Sequence, residues 1–479
     1  MHTLDIVVMV IYFLALIFVG FIGARRAKTS EDYIVAGRNL GFTMYLSCLA
    51  AVILGGASTI GTTKLGYQYG ISGVWLVSML GIGIIGLGLF LVKKIYHLKI
   101  LTISELLELR FNAQTRFISA AVTALYAIMV TVTQVIGMGT ILNVLVGWDL
   151  TLSMLVGGGI VLFYTLLGGM WSVTMTDIVQ FVIMTIGIFL VMLPLSISKA
   201  GGWANLQQTL PASYFDFTGI GWSEILSYFL LFCLGMVIAQ DVWQRIFTAK
   251  TLKIARTGTI GAGVYSFLYA LAVSIIGMCA FVVLPGLNDP QNAFAQMAVT
   301  ILPTGLLGIV LASVVSALMS TASGTLLASS TLIVNDIIKR FSKKPMSETR
   351  FLLTSRITTL IIGLIVITCS IWIQDVLVAL DVAYAVLSGS VFLPIILGLF
   401  WKRATAKAAF FSIVISAIVI ITGLAIEGLT STNPILYGLA SSLVSIVLIS
   451  YFDPSKNLSE AEKKMEQVYE TPEQKQNAL

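Results

Sequence analysis

Residues 317–325 read Ala-Leu-Met-Ser-Thr-Ala-Ser-Gly-Thr inside a long apolar run. Ala317, Ser320 and Thr321 are spaced i, i+3, i+4, so a helix puts them on one face. Two hydroxyls and one carbonyl are the oxygen ligands that a hard cation takes. The same hydroxyls also suit bonds back to their own helix or across to a neighbour. Residues 50–59 carry the paired glycines Gly55 and Gly56. Such a pair weakens a helix and bares its backbone, which would leave the carbonyls of Ala51 and Leu54 available to the same cation. In a bilayer, freed carbonyls are tolerated only beside protein or an aqueous cavity. Residues 168–180 lead from a Gly-Gly pair to Asp177, placed at the start of the next apolar helix. Asp177 reads either as a cap on that helix or as a cation ligand facing Ser320 and Ser323. Two more charges, Lys64 and Asp381, interrupt apolar runs. Lys64 suits snorkelling to an interface, and the two charges could also pair with each other.

The elements that must position these residues follow from composition. The chain has 479 residues, 58% hydrophobic and 10% charged, with a mean hydropathy of +0.98. Soluble domains have roughly 25% charged residues, and a single core stops growing at about 250–300 residues. A soluble enzyme, a nucleic-acid binder and a disordered chain are thereby excluded. Continuous apolar runs, without alternation, also exclude an outer-membrane barrel. The four cysteines lack metal-type spacing and read as small buried hydrophobes. His2 and His97 form no cluster.

About 13 segments are long enough to cross a bilayer. Of the 28 Lys and Arg, all but Lys64 and Lys199 fall in alternate loops or in the tail. Basic loops mark the cytoplasmic side, which puts the N-terminus outside and the C-terminus inside. Helices two and seven open two successive blocks of five and run in opposite directions. Gly55 interrupts the first, and Gly235 is the matching glycine in the second. Interrupted helices in two inverted halves mark the binding site of a secondary transporter, although glycines also serve close packing.

The chain resembles the sodium:solute symporter family. The resemblance is carried by 36–41 (Ala-Gly-Arg-Asn-Leu-Gly), the Gly-Gly to Thr-Asp-x-x-Gln run at 168–180, Gln244-Arg245, Met319-Ser320-Thr321, and 399–403 (Leu-Phe-Trp-Lys-Arg). It implies an all-α, LeuT-type 5+5 inverted repeat arranged 1+5+5+2. The divisions are 1–42 (extra helix and linker), 43–198 (first repeat), 199–222 (external loop), 223–401 (second repeat), 402–451 (two helices) and 452–479 (tail). It implies a sodium site from the carbonyls of Ala51, Leu54 and Ala317 and the hydroxyls of Ser320 and Thr321. A second cation site of some relatives corresponds to Asp177, Ser320, Ser323 and position 324, where this chain has glycine. By position, the solute would meet Ile53, Gly55, Ser58, Trp75, Gln134, Phe232, Met236 and Asp381. Phe232 and Met236 fall where relatives have an aromatic inner gate, and no tyrosine is expected there. Asp381 would meet a solute amine or hydroxyl, or pair with Lys64 at the outer mouth.

The expected function is sodium-coupled import of a small organic solute, an amino acid or small carboxylate rather than a sugar. A proton-coupled carrier of the same fold and a transporter-like sensor are the alternatives. No enzyme chemistry, cofactor or nucleic-acid partner is expected. The expected partners are the solute, the sodium ion and membrane lipid, with a monomer in a bacterial inner membrane.

Overall fold

A computed structural model describes residues 3–26, 28–98, 100–341 and 346–453. The expected 452–479 tail lies outside the described residues from 454 onward. All regular elements among the described residues are helical. Eleven helices there are long and apolar enough to cross a bilayer, and two apolar helices, Phe42–Ile53 and Leu150–Phe163, are shorter.

In chain order, α1 is Thr3–Ala24. Helix α2 is broken: Phe42–Ile53, a π turn at Ala57–Gly61, then Thr62–Tyr69. Helix α3 starts with Trp75–Gly86 and passes through a π turn into Val92–Ile95. Then come α4 (Ala113–Val146), α5 (Leu150–Phe163), α6 (Gly169–Lys199), α7 (Trp222–Ile246), α8 (Leu252–Val283) and α9 (Leu306–Ile338). The chain closes with α10 (Glu348–Ile373), α11 (Val376–Phe400), α12 (Ala406–Glu427) and α13 (Asn433–Phe452). Polar residues cap several of these helices: Asn112 for α4, Thr251 for α8, Asp375 for α11 and Thr405 for α12. Each side chain accepts from an otherwise unpaired N–H of the first turn.

Helix α9 is the buried axis. Every residue from Val310 to Thr331 is buried, and the helix packs on α1, α4 and α6. Helices α1, α12 and α13 lie at the margin, where Phe18, Ile426 and Phe452 stay exposed. Such surfaces suit lipid as the solvent. Helix α6 starts at a turn centred on Gly169 (φ 56°, ψ −146°). Asp177 is therefore two turns inside α6 and fully buried, not at its first turn.

At the end carrying the basic loops, Leu40 pairs with the segment after α7. Leu40 N–H donates to Thr248 O and Lys250 N–H donates to Leu40 O, both at 3.0 Å. The same end holds a charge network. Arg116 at the start of α4 bonds Asp336 of α9 and both Glu105 and Glu108 of the short helix Ile103–Arg110.

Candidate cation and solute site

The break in α2 exchanges helix hydrogen bonds for bonds to two other helices. In an unbroken helix, Gly56 N–H would donate to Val52 O. Here Gly56 N–H donates to Gln134 Oε1 of α4, and Val52 O accepts from Thr321 Oγ1 of α9 at 2.7 Å. Ser58 Oγ bridges the gap, donating to Ile53 O at 2.8 Å. The paired glycines are needed for approach as much as for bending. A Cβ on Gly55 would stand 2.3 Å from Gln134 Oε1 and 2.6 Å from Thr321 Oγ1.

This junction joins the two stretches that carry the residues expected around a cation. Thr321 also donates to Ala317 O at 3.2 Å, one turn back. Ala51 precedes Val52 in the last turn before the break, and Leu54, two residues after Val52, has left helical geometry (φ −97°, ψ 58°). Ser320, beside Thr321, donates to Asp177 Oδ1 at 2.6 Å. The expected donors are neutral carbonyls and hydroxyls, with one carboxylate a hydroxyl away, a chemistry suited to a monovalent hard cation.

A cavity of about 20 Å³ adjoins the break, room for about one water. Ile53, Gly55, Ser58, Gln134 and Met236 line it, as expected for solute contacts. Tyr126, Asp241 and Tyr384 also line it and were not anticipated. Tyr126 Oη lies 3.2 Å from Tyr384 Oη and 3.3 Å from Asp241 Oδ1. Phe232 meets the Tyr384 ring edge-on at 5.2 Å, and Tyr126 meets it at 5.1 Å. The expectation that no tyrosine occupies this region is corrected. The tyrosines come from α4 and α11, far in sequence from α7.

Three further expectations are corrected. Trp75 opens α3 away from the cavity, where its indole N–H donates to Phe217 O of the 199–222 loop at 2.6 Å. Lys64 pairs with Asp375 at 3.0 Å, not with Asp381. Asp375 caps α11, six residues before Asp381, and so stands level with the far end of α2. Asp381 follows the cavity-lining Leu380 and makes no hydrogen bond or ion pair among the described residues. The interruption in α7 falls at Ile238 and Ala239 (ψ 13° and 124°), not at Gly235. Gly235 is instead a contact point, where a Cβ would stand 2.4 Å from the Tyr384 ring.

Cys48 is more than a small hydrophobe. Its thiol donates to Asp177 Oδ2 at 3.0 Å. Arg245, on the last turn of α7, reaches the same oxygen at 3.2 Å. Ser323 Oγ turns back to Ser320 O at 3.1 Å. Among the residues expected at a second cation position, Asp177 and Ser320 touch, while Ser323 bonds its own helix.

Residues 33–416 match the family described as the Sodium:solute symporter family. The chain belongs to that family. The symporter is 25% identical over 474 residues to the sodium/pantothenate symporter of Escherichia coli, covering 94% of this chain and 97% of the relative. It is 26% identical over 454 residues to the high-affinity proline transporter PutP of Bacillus subtilis, covering 91% and 95%. Its fold is that of a Na+-coupled sialic acid symporter solved in a substrate-bound outward-open state. There the TM-score is 0.82 at 21% identity, covering 95% of this chain and 99% of the other. The more distant nucleobase-cation-symport-1 transporter Mhp1 aligns with a TM-score of 0.59 at 16% identity. This symporter is thus a sodium-coupled membrane transporter of a small solute, not an enzyme, and its helices follow the architecture of that transporter group.

Proposed function

We propose that the symporter imports a small organic solute, an amino acid or small carboxylate in preference to a sugar, by alternating access. The single observation behind this reading is the Thr321–Val52 hydrogen bond at the α2 break, beside the small cavity. Ala51, Leu54, Ala317, Ser320 and Thr321 would hold the sodium ion. Ile53, Gly55, Ser58, Gln134, Phe232 and Met236 would hold the solute, with Asp381, next to the cavity-lining Leu380, offering a carboxylate to an amine or hydroxyl. The reading includes thirteen spans arranged 1+5+5+2, an outside N-terminus, an inside C-terminus and a bacterial inner membrane. It also includes a monomer as the working unit.

Sodium favours one form only if it binds that form better. Here α2 and α9 both contribute ligands, so sodium favours the form in which they touch. Separation of α9 from α2 divides the ligand set and frees the ion. An inside-negative potential assists each inward-moving charge by about 2.3 kcal/mol per 100 mV. The cavity, which holds about one water, accommodates a solute only when α4, α7 and α11 part around the Tyr126–Tyr384–Phe232 cluster.

A thermal-shift screen of the purified chain, with amino acids, small carboxylates and sugars in sodium or choline, tests this directly. The expected result is a hit among the first two classes whose stabilisation requires sodium and is lost in Thr321→Ala. A sugar hit, or one of equal size in choline, would overturn the reading.

A further inference from the structure

Asp177 has both oxygens engaged at full burial. Oδ1 accepts from Ser320, and Oδ2 accepts from the Cys48 thiol and from Arg245 Nη2. The Arg245 side chain is only 1% exposed. Its other nitrogens are spoken for as well: Nε donates to Cys48 O at 3.2 Å and Nη1 to Asp241 O at 3.1 Å. Opposite it, α9 presents Gly324. A Cβ there would stand 2.6 Å from Nη2 and 2.8 Å from Nη1. The missing side chain is the space in which the guanidinium lies.

By the family resemblance, a sodium ion at this position would draw on Asp177, Ser320, Ser323 and a ligand from residue 324. Glycine supplies no side-chain ligand, Ser323 bonds its own helix, and the carboxylate already faces a positive charge. A guanidinium stays protonated throughout the physiological range. A second cation beside it would be repelled in a water-poor interior, where charges persist only when paired. While Arg245 holds Asp177, the residues present do not fit a second sodium ion.

We infer that Arg245, lying in the space that Gly324 leaves, is a tethered cation that keeps a second sodium ion away from Asp177. The inference concerns Asp177 alone and is separable from the proposed ion site between α2 and α9. Arg245 acts as a positioning residue: it holds Asp177, and through it the Ser320 hydroxyl that the proposed sodium site shares.

The test is a count of bound ²²Na⁺ per chain on the purified protein, with melting curves in sodium and in choline at matched ionic strength. The wild type is expected to bind one ion with a Hill slope of one. Arg245→Gln uncovers Asp177 and is expected to bind one ion more than the wild type. Its melting temperature should fall in choline and recover in sodium. The charge-matched Arg245→Gln/Asp177→Asn pair should bind no extra ion and melt alike in both salts apart from the wild-type sodium effect. Two ions on the wild type, dropping to one in the double variant, would overturn the inference, as would Arg245→Gln gaining none. If Arg245→Gln does not fold, the wild type and the double variant still decide it, since equal counts of one support it. A wild type that binds no ion would refute the α2–α9 site, while a gain of one ion in Arg245→Gln would still uphold the tethered cation.

Discussion

The two broken helices are broken in different ways. In α2, Ser58 covers the Ile53 carbonyl, but the Gly56 N–H and the Val52 carbonyl are satisfied from elsewhere in the fold, by Gln134 of α4 and Thr321 of α9. In α7, the freed backbone groups are satisfied from within. Ile238 N–H tightens onto Gly235 O at 3.0 Å, and the Trp243 indole N–H donates to Val237 O at 2.8 Å. Val237 O is the group that would accept from Asp241 N–H in a continuous helix. The α7 break therefore carries its own partners when neighbouring helices move. The α2 break depends on where α4 and α9 stand, which makes it the one of the two that a bound ion can sense.

Gly55→Ala attacks that dependence most directly, because its Cβ has no space between Gln134 and Thr321. The expected result is loss of all sodium-dependent thermal stabilisation in a chain that still folds in membranes. Retained sodium dependence would erase the distinction between the breaks. Thr321→Val keeps the shape and removes the hydroxyl. It should raise the half-saturating sodium concentration about tenfold or more, a loss of about 1.4 kcal/mol or more, read from sodium titrations of melting temperature. Trp243→Phe should lower stability by about 1–3 kcal/mol, because Val237 O is left buried without its donor. It should leave the sodium midpoint unchanged, and a shift as large as that of Thr321→Val would show both breaks to be ion-responsive.

The smallest effect is expected away from both breaks, at the Lys64–Asp375 pair. Burial alone would raise the Asp375 carboxyl. The Lys64 ammonium and the N–H groups of Val378 and Leu377 outweigh it and hold the group below the usual carboxylate range. A depressed carboxyl stabilises the fold above its ordinary range, and this contribution is lost as pH falls through the depressed value. The melting temperature should therefore hold from neutral pH down to the carboxylate range and decline below it. In Asp375→Asn the neutral-pH value should start lower and that part of the decline should vanish. The pair is partly exposed, so the difference should be small. An identical pH profile in the variant would remove the pair from the stability account.

Much of this was legible in the sequence because local chemistry and tertiary role coincide there. Gly55 and Gly56 mark the α2 break, since a glycine pair is both a weak helix former and the only pair that admits Gln134 and Thr321 so closely. The spacing of Ala317, Ser320 and Thr321 places them on one face whatever surrounds them. The position of the α7 break was not legible. Val237, Ile238 and Ala239 carry no local breaking signal, and the indole that stabilises the gap comes from six residues further on. The cavity tyrosines were missed because Tyr126 and Tyr384 sit in ordinary apolar helices and meet only through α4–α11 packing. The role of Arg245 was hidden for a related reason. The cue was the glycine at 324, which reads as a missing ligand until the guanidinium lying on it is seen.

The two backbone hydrogen bonds between Leu40 and the 248–250 segment have a mechanical consequence. They splice the approach to α2 onto the exit from α7, and Arg245 adds a second rivet by gripping the Cys48 carbonyl. The halves of the two interrupted helices that lie at the basic-loop end are thus one lever rather than two. A force that swings either half is delivered to both, and the flexing is concentrated at the fulcrums near Gly55 and Ala239.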